Sequence, residues 1–176
     1  ANCWDVADNG DATTGPTDLG TSSWVNDGFI NNGFTGAYKI NLWLAAKSDW
    51  LLSPLFDLTG GPFQVEFDFA VMTFGSTTTA GTLGSDDTVE LMITTDNGTT
   101  WTVLETFDAT SVIPATGLHV VQNLTAYSGT TAQFGIRASE GTVDDTNDND
   151  VFVDNFQVRA IPSCPEPLAV VATATG

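Results

Sequence analysis

Residues 63–71, FQVEFDFAV, alternate between oily and polar side chains as far as Phe69. Phe63, Val65, Phe67, Phe69 and Val71 fall on one face, and Gln64, Glu66 and Asp68 on the other. A period of two fits an extended strand with one buried side and does not fit a helix. Val89, Leu91 and Ile93 repeat the pattern in 87–94, as do Phe134 and Ile136 in QFGIRA, and Val151 and Val153 near the end. In VFVDNFQVRA (151–160) the phase changes near Asp154-Asn155, because Phe156 and Val158 take the opposite parity. That change reads either as a bulge, a device common beside binding sites, or as a twisted strand buried on both faces. Helix signals are nearly absent, and Gly, Asn, Asp and Thr separate the strand-like runs. The chain is therefore expected to be all-β, with two antiparallel sheets packed as a β-sandwich.

The 176 residues suffice for one domain with a sizeable core. Boundaries are expected at 1–162 for the sandwich and 163–176 for a linker or the start of a following module. Three prolines, Pro162, Pro165 and Pro167, mark that junction, since proline donates no backbone hydrogen bond. The chain begins at Ala1-Asn2-Cys3, and no signal peptide is visible. No run of 18 apolar residues exists, so membrane insertion through a helix is not expected.

Charge restricts the partners. Twenty-two acidic residues face four Lys and Arg, for a formal charge of −18. Nucleic acids and anionic lipid need positive charge and are excluded as partners on that ground. Asp144, Asp145, Asp148, Asp150 and Asp154 crowd into one run. Carboxylates held together repel, and a hard cation with oxygen ligands relieves the repulsion, so calcium is the expected cofactor. The alternative is a solvated acidic loop. Cys3 and Cys164, near opposite ends, are expected to form a disulfide, which places the protein outside the cell or on its surface; two unpaired buried thiols are the alternative.

The octet TTDNGTTW (94–101) specifies a hairpin, because Asn97 and Gly98 both tolerate positive φ. It matches the Asp-box pattern, Ser/Thr-x-Asp-x-Gly-x-x-Trp. That match implies a structural role: Asp96 bonds the turn backbone and Trp101 packs beneath. A sialidase-like propeller needs several copies, and this chain has one.

A longer resemblance runs through SDWLLSPLFDL (48–58), PFQVEFDFAV (62–71), 86–107, 124–138 and VFVDNFQV (151–158). This ordered series resembles the bacterial cleaved-adhesin and MAM-like jelly-roll modules. Cys164-Pro165-Glu166-Pro167 is similar to the junction that leads into a following module. The resemblance implies a two-sheet antiparallel jelly roll from a multidomain secreted or surface protein, with calcium in loops joining the terminal strands. Carried over, the ligands would be Asp86 or Asp87 and Asp154, with a second group at Asp5, Asp8 and Asp11. DNGDA (8–12) lacks the spacing and closing glutamate of an EF-hand. The segment 10–35 departs from the family pattern and shows no alternating strand.

No catalytic set is apparent. His119 is the sole histidine and has no nucleophile-elbow motif with it. A zinc centre would need more nitrogen or sulphur ligands. P-loop and dinucleotide fingerprints are missing. Glu66, Asp68 and Glu90 face outward by parity and would serve a glycoside hydrolase if their strands were neighbours on one concave sheet. Among the five tryptophans, Trp50 and Trp101 are assigned to packing, and Trp24 and Trp43 are the expected exposed ligand-binding rings; packing of all five is the alternative. The sequence thus reads as a non-catalytic, calcium-stabilised module that binds a glycan or a cell-surface protein. The alternatives are a spacer beside neighbouring domains of the same chain and a paired-carboxylate glycosidase.

Overall fold

A computed structural model of the chain describes residues 3–44 and 46–162. Eleven strands run β1 Asp5–Asp8, β2 Asp18–Leu19, β3 Val25–Asp27, β4 Ala37–Leu42, β5 Ser48–Asp57, β6 Phe63–Thr73, β7 Thr88–Thr94, β8 Thr102–Phe107, β9 Leu118–Asn123, β10 Thr131–Ser139 and β11 Asn149–Ala160. They form two antiparallel sheets, ordered β2-β1-β5-β10-β7-β8 and β3-β4-β11-β6-β9. The expected jelly-roll sandwich is the fold observed.

Alternation builds the interface between the layers. Val65, Phe67, Phe69 and Val71 of β6 meet Leu51, Leu91, Ile93, Phe134 and Ile136 of the opposite sheet in one core. Phe69 stacks on Phe107 with centroids 4.1 Å apart, and Phe134 meets Phe56 and Phe156 edge-on. Each buried aromatic side chain removes a large apolar area from water, which drives the stacking of the layers.

The phase change in the last strand is a bulge. Asp154 pairs with Asp68, but Glu66 pairs with Gln157, so β11 carries one more residue than β6 between these points. Asn155 takes φ 50° there. The extra residue turns Phe156 and Val158 inward, where they pack on the core beside Val153. An in-register strand would have left both in water.

Two apolar patches lie on the outer faces of the sheets. Ala70, Met72 and Phe152 are covered by Phe29 and Ile30 of a 3-10 turn. Ala7, Trp50, Leu52, Met92 and Trp101 form the other. The segment after β1 folds over this second patch. Trp50 Nε1 donates to Asn9 O at 3.0 Å, and Ser48 Oγ to Gly10 O at 2.8 Å. Gly15 lies so close to the Trp101 indole that an added Cβ would sit 2.6 Å from Nε1. The segment 10–35 thus contributes two short strands and a cover.

The hairpin follows its motif. Asp96 accepts from Thr100 N at 2.9 Å and Thr100 Oγ1 at 2.7 Å, and Thr94 Oγ1 donates to it at 2.8 Å. Asn97 and Gly98 take φ 60° and 84°. Trp101 is buried against Trp50, centroids 5.4 Å apart.

Candidate functional site

The cover over the Trp50 patch stops short of the first residues of β1. The ladder with β2 starts at Ala7, opposite Leu19, and Gly20 N donates to Val6 O at 2.8 Å, so the edge at Asp5 lies beyond it. A cavity of about 760 Å³ opens along this edge. Its walls carry Trp4, Trp24, Tyr38 and Trp101, with Asp5, Asn26, Asn97 and Gln133 as polar groups. Ligand clefts fall at about 300–1,000 Å³ and combine aromatic walls with a few placed polar groups. Leu52 and Asp5 face each other across the β1–β5 ladder, and Gln133 comes from β10 in the same sheet. Rigid strands therefore hold much of the wall. The Asp-box turn adds Asn97 and Gly98. Trp4 packs at 6.1 Å from Tyr38 and edge-on at 4.9 Å from Phe156, which fixes its ring. Trp101 Nε1 is buried with no hydrogen-bond partner.

The two tryptophans expected to be exposed divide. Trp24 is 6% exposed and belongs to the core, its indole N–H directed at Asp49 O at 3.4 Å, which corrects its assignment as an open ring. It still contributes to the cavity wall. Trp43 is 51% exposed, in the β4–β5 connection, and is not part of that wall. Trp4 and Tyr38 were missed. Trp4 precedes a strand of four residues, too short to show alternation, and Tyr38 occupies an ordinary inward position on β4.

The acidic residues gather where two long loops meet. Ser85 Oγ donates to Asp145 at 2.9 Å, and Asn147 and Asn149 donate to Thr82 O at 2.7 and 2.9 Å. Asp86 accepts from Thr142 N at 2.7 Å and Val143 N at 3.2 Å. Those amides hold its carboxyl below the usual range, the Thr142 N–H bond contributing most. Its Oδ1 is nevertheless buried without a partner, as is Oε2 of Glu140. Burial pushes Glu140 up to about 7, aided by Asp87, Asp144 and Asp148 and opposed by Lys47. Burial also raises Asp87, whose Oδ2 accepts from Gly84 N at 2.8 Å. Glu140 carried no signal in the sequence, because one acid at the end of a strand is ordinary.

The other expected ligands lie elsewhere. Asp5 borders the cavity, and Asp8 accepts from Asn9 N at 2.7 Å. Asp11 caps a turn through Thr13 N at 2.8 Å and Thr14 N at 2.9 Å. Asp154 stands at the bulge, bonded to Asn155 N at 2.6 Å. Among the described residues no three His, Cys, Asp or Glu side chains form a group able to hold a metal ion. Cys164 lies outside the described residues, and the expected bridge to Cys3 falls with it.

Among the carboxylates weighed for hydrolysis, Glu90 stands apart from Glu66 and Asp68, and all three are engaged. β6 and β7 belong to different sheets, so Glu90 does not share a sheet with Glu66 and Asp68. Glu90 pairs with Arg137 at 2.9 Å. Glu66 faces outward, as its parity indicates, but is only 1% exposed. It is held by Arg159 and by His119 Nε2 at 3.2 Å, while His119 Nδ1 meets Asp68 at 2.8 Å.

No protein-family model and no curated protein sequence matches the chain. Solved structures do. A cleaved adhesin domain of Lys-gingipain from Porphyromonas gingivalis aligns over 92% of this chain and 93% of its own, at TM-score 0.55 and 13% identity. Another cleaved adhesin domain of Lys-gingipain aligns over 91% and 92%, at TM-score 0.50 and 16% identity. A structure described for the promiscuous specificity of carbohydrate-binding modules of the β-sandwich superfamily aligns over 89% of this chain and 57% of its own, at TM-score 0.52 and 12% identity. The shared feature is the two-sheet fold.

The raised Glu140 carboxyl gives a pH dependence. Its folded value lies above the unfolded one, so its stability contribution is complete below the unfolded value of 4.5 and is lost as pH rises through about 7. In chelator, the melting temperature of wild type relative to Glu140→Gln is expected to fall between those limits. A difference that stays constant with pH would contradict this.

Proposed function

We propose that this chain is a non-catalytic glycan-binding module of a secreted or cell-surface protein. The aromatic cleft beside β1 carries the reading: indole and phenol rings stack on the C–H faces of sugars, and amides with a carboxylate orient hydroxyl groups. The structural likeness to a carbohydrate-binding module and to adhesin domains supports it. The engagement of Glu66, Asp68 and Glu90 in ion pairs or hydrogen bonds supports the absence of hydrolysis.

Calcium at the loop junction is part of the same reading. Glu140 and Asp86 each offer a buried oxygen with no partner, and Asp87 and Asp145 add further carboxylates near Gly84. Oxygen donors of this kind fit a hard divalent cation. As they stand they do not share one centre, so loop carbonyls or water would complete the shell. The ion would neutralise the repulsion there and tie the two loops.

Titration calorimetry against a panel of soluble glycans tests the binding. At least one glycan is expected to bind, Trp4→Ala to weaken it by about tenfold or more, the scale of one lost stacking contact, and Trp43→Ala to leave it unchanged. Equal loss in both variants, or no glycan bound at all, would contradict the reading. For the metal, chelator is expected to lower the melting temperature by several degrees, with calcium restoring it better than magnesium. Superimposable melting curves with and without calcium would refute that part.

A further inference from the structure

Asp5 is the one charged side chain among the residues lining the cleft. We infer that the cleft selects uncharged glycans and rejects acidic ones, with the Asp5 carboxylate as the specificity-determining group. This rests on the glycan-binding reading above and narrows it to a substrate class.

The Lys and Arg side chains are all bonded outside the cleft. Lys39 pairs with Asp27, and Lys47 donates to Asn41 O at 2.6 Å. Arg137 holds Glu90 and Arg159 holds Glu66. These four are every Lys and Arg in the sequence. The single histidine lies between Glu66 and Asp68. A uronate or sulfate in the cleft would leave water without gaining a counter-charge. It would also face Asp5 and, at longer range, a molecule of formal charge −18.

Uncharged sugars meet a matched surface. Asn26, Asn97 and Gln133 can each donate and accept. Asp5, which is exposed at the start of β1, accepts from sugar hydroxyls, a charge-assisted bond that needs no cation on the ligand. Trp4 and Tyr38 supply ring faces.

The test compares one uncharged glucan or galactan that binds with the same polymer after oxidation of its primary hydroxyls to carboxylates. Calorimetry is run at low salt and at high salt, where the Debye length shrinks to a few Å at about 1 M. The parent polymer is expected to bind at both salt concentrations, and the oxidised form to bind at least tenfold more weakly at low salt, with a smaller gap at high salt. Asp5→Asn and Asp5→Lys should narrow the gap in that order, with circular dichroism confirming that both variants fold. Equal or tighter binding of the oxidised polymer by wild type overturns the inference and leaves glycan binding standing. An unchanged gap in Asp5→Lys overturns the role of Asp5. If no uncharged glycan binds, the glycan reading fails and takes this inference with it.

Discussion

Strand β5 carries apolar side chains on both faces: Leu51 enters the core, while Trp50 and Leu52 point away from it. A sandwich buries one face of each sheet, so the outward patch around Trp50 requires a second cover. The amino-terminal segment supplies it, held by bonds from Trp50 to Asn9 and from Ser48 to Gly10. The approach of Gly15 to Trp101 leaves no space for a side chain there. The cover reaches as far as the bond from Gly20 N to Val6 O, and the aromatic cleft lies there, lined in part by the cover itself through Pro16, Leu19 and Gly20. The site is thus a boundary of a packing solution, built on strands whose positions the core already fixes.

The long strands were legible because alternation over nine residues has one structural meaning. The phase break in β11 was legible for the same reason: Phe156 and Val158 had to reach the core, and the bulge at Asp154–Gln157 takes them there. The Asp-box octet gave its turn residue by residue. The site was harder to read. Trp24 stands in a segment without periodicity, so its burial depended on a partner, Asp49, distant in sequence. Trp4 stands just before β1 and Tyr38 lies on β4, and these strands belong to different sheets. Their convergence is a property of the layers, which spacing cannot show. Glu66 faces outward by parity, yet Arg159 and His119 from two flanking strands close over it. Single-strand patterns give the face of a residue and say little about what covers that face.

Charge divides the molecule into two working regions. At the loop junction, the carboxylates Glu140 and Asp87 are pushed up by desolvation and by neighbouring aspartates. That region stores repulsion which a divalent ion would relieve. At the cleft, one carboxylate stands among rings and amides. Every Lys and Arg is bonded to a carboxylate or a carbonyl, and none of them lines the cleft. The scarcity of Lys and Arg is the basis of the selectivity proposed for the cleft.

The central claim is that sugars are received beside β1. Its most direct test is a proton–nitrogen correlation spectrum of the indole N–H groups during addition of an uncharged oligosaccharide that binds. The account predicts that the signals of Trp4, Trp24 and Trp101 shift together and that Trp43 stays in place. Movement of Trp43 alone, with the other three unperturbed, would contradict it.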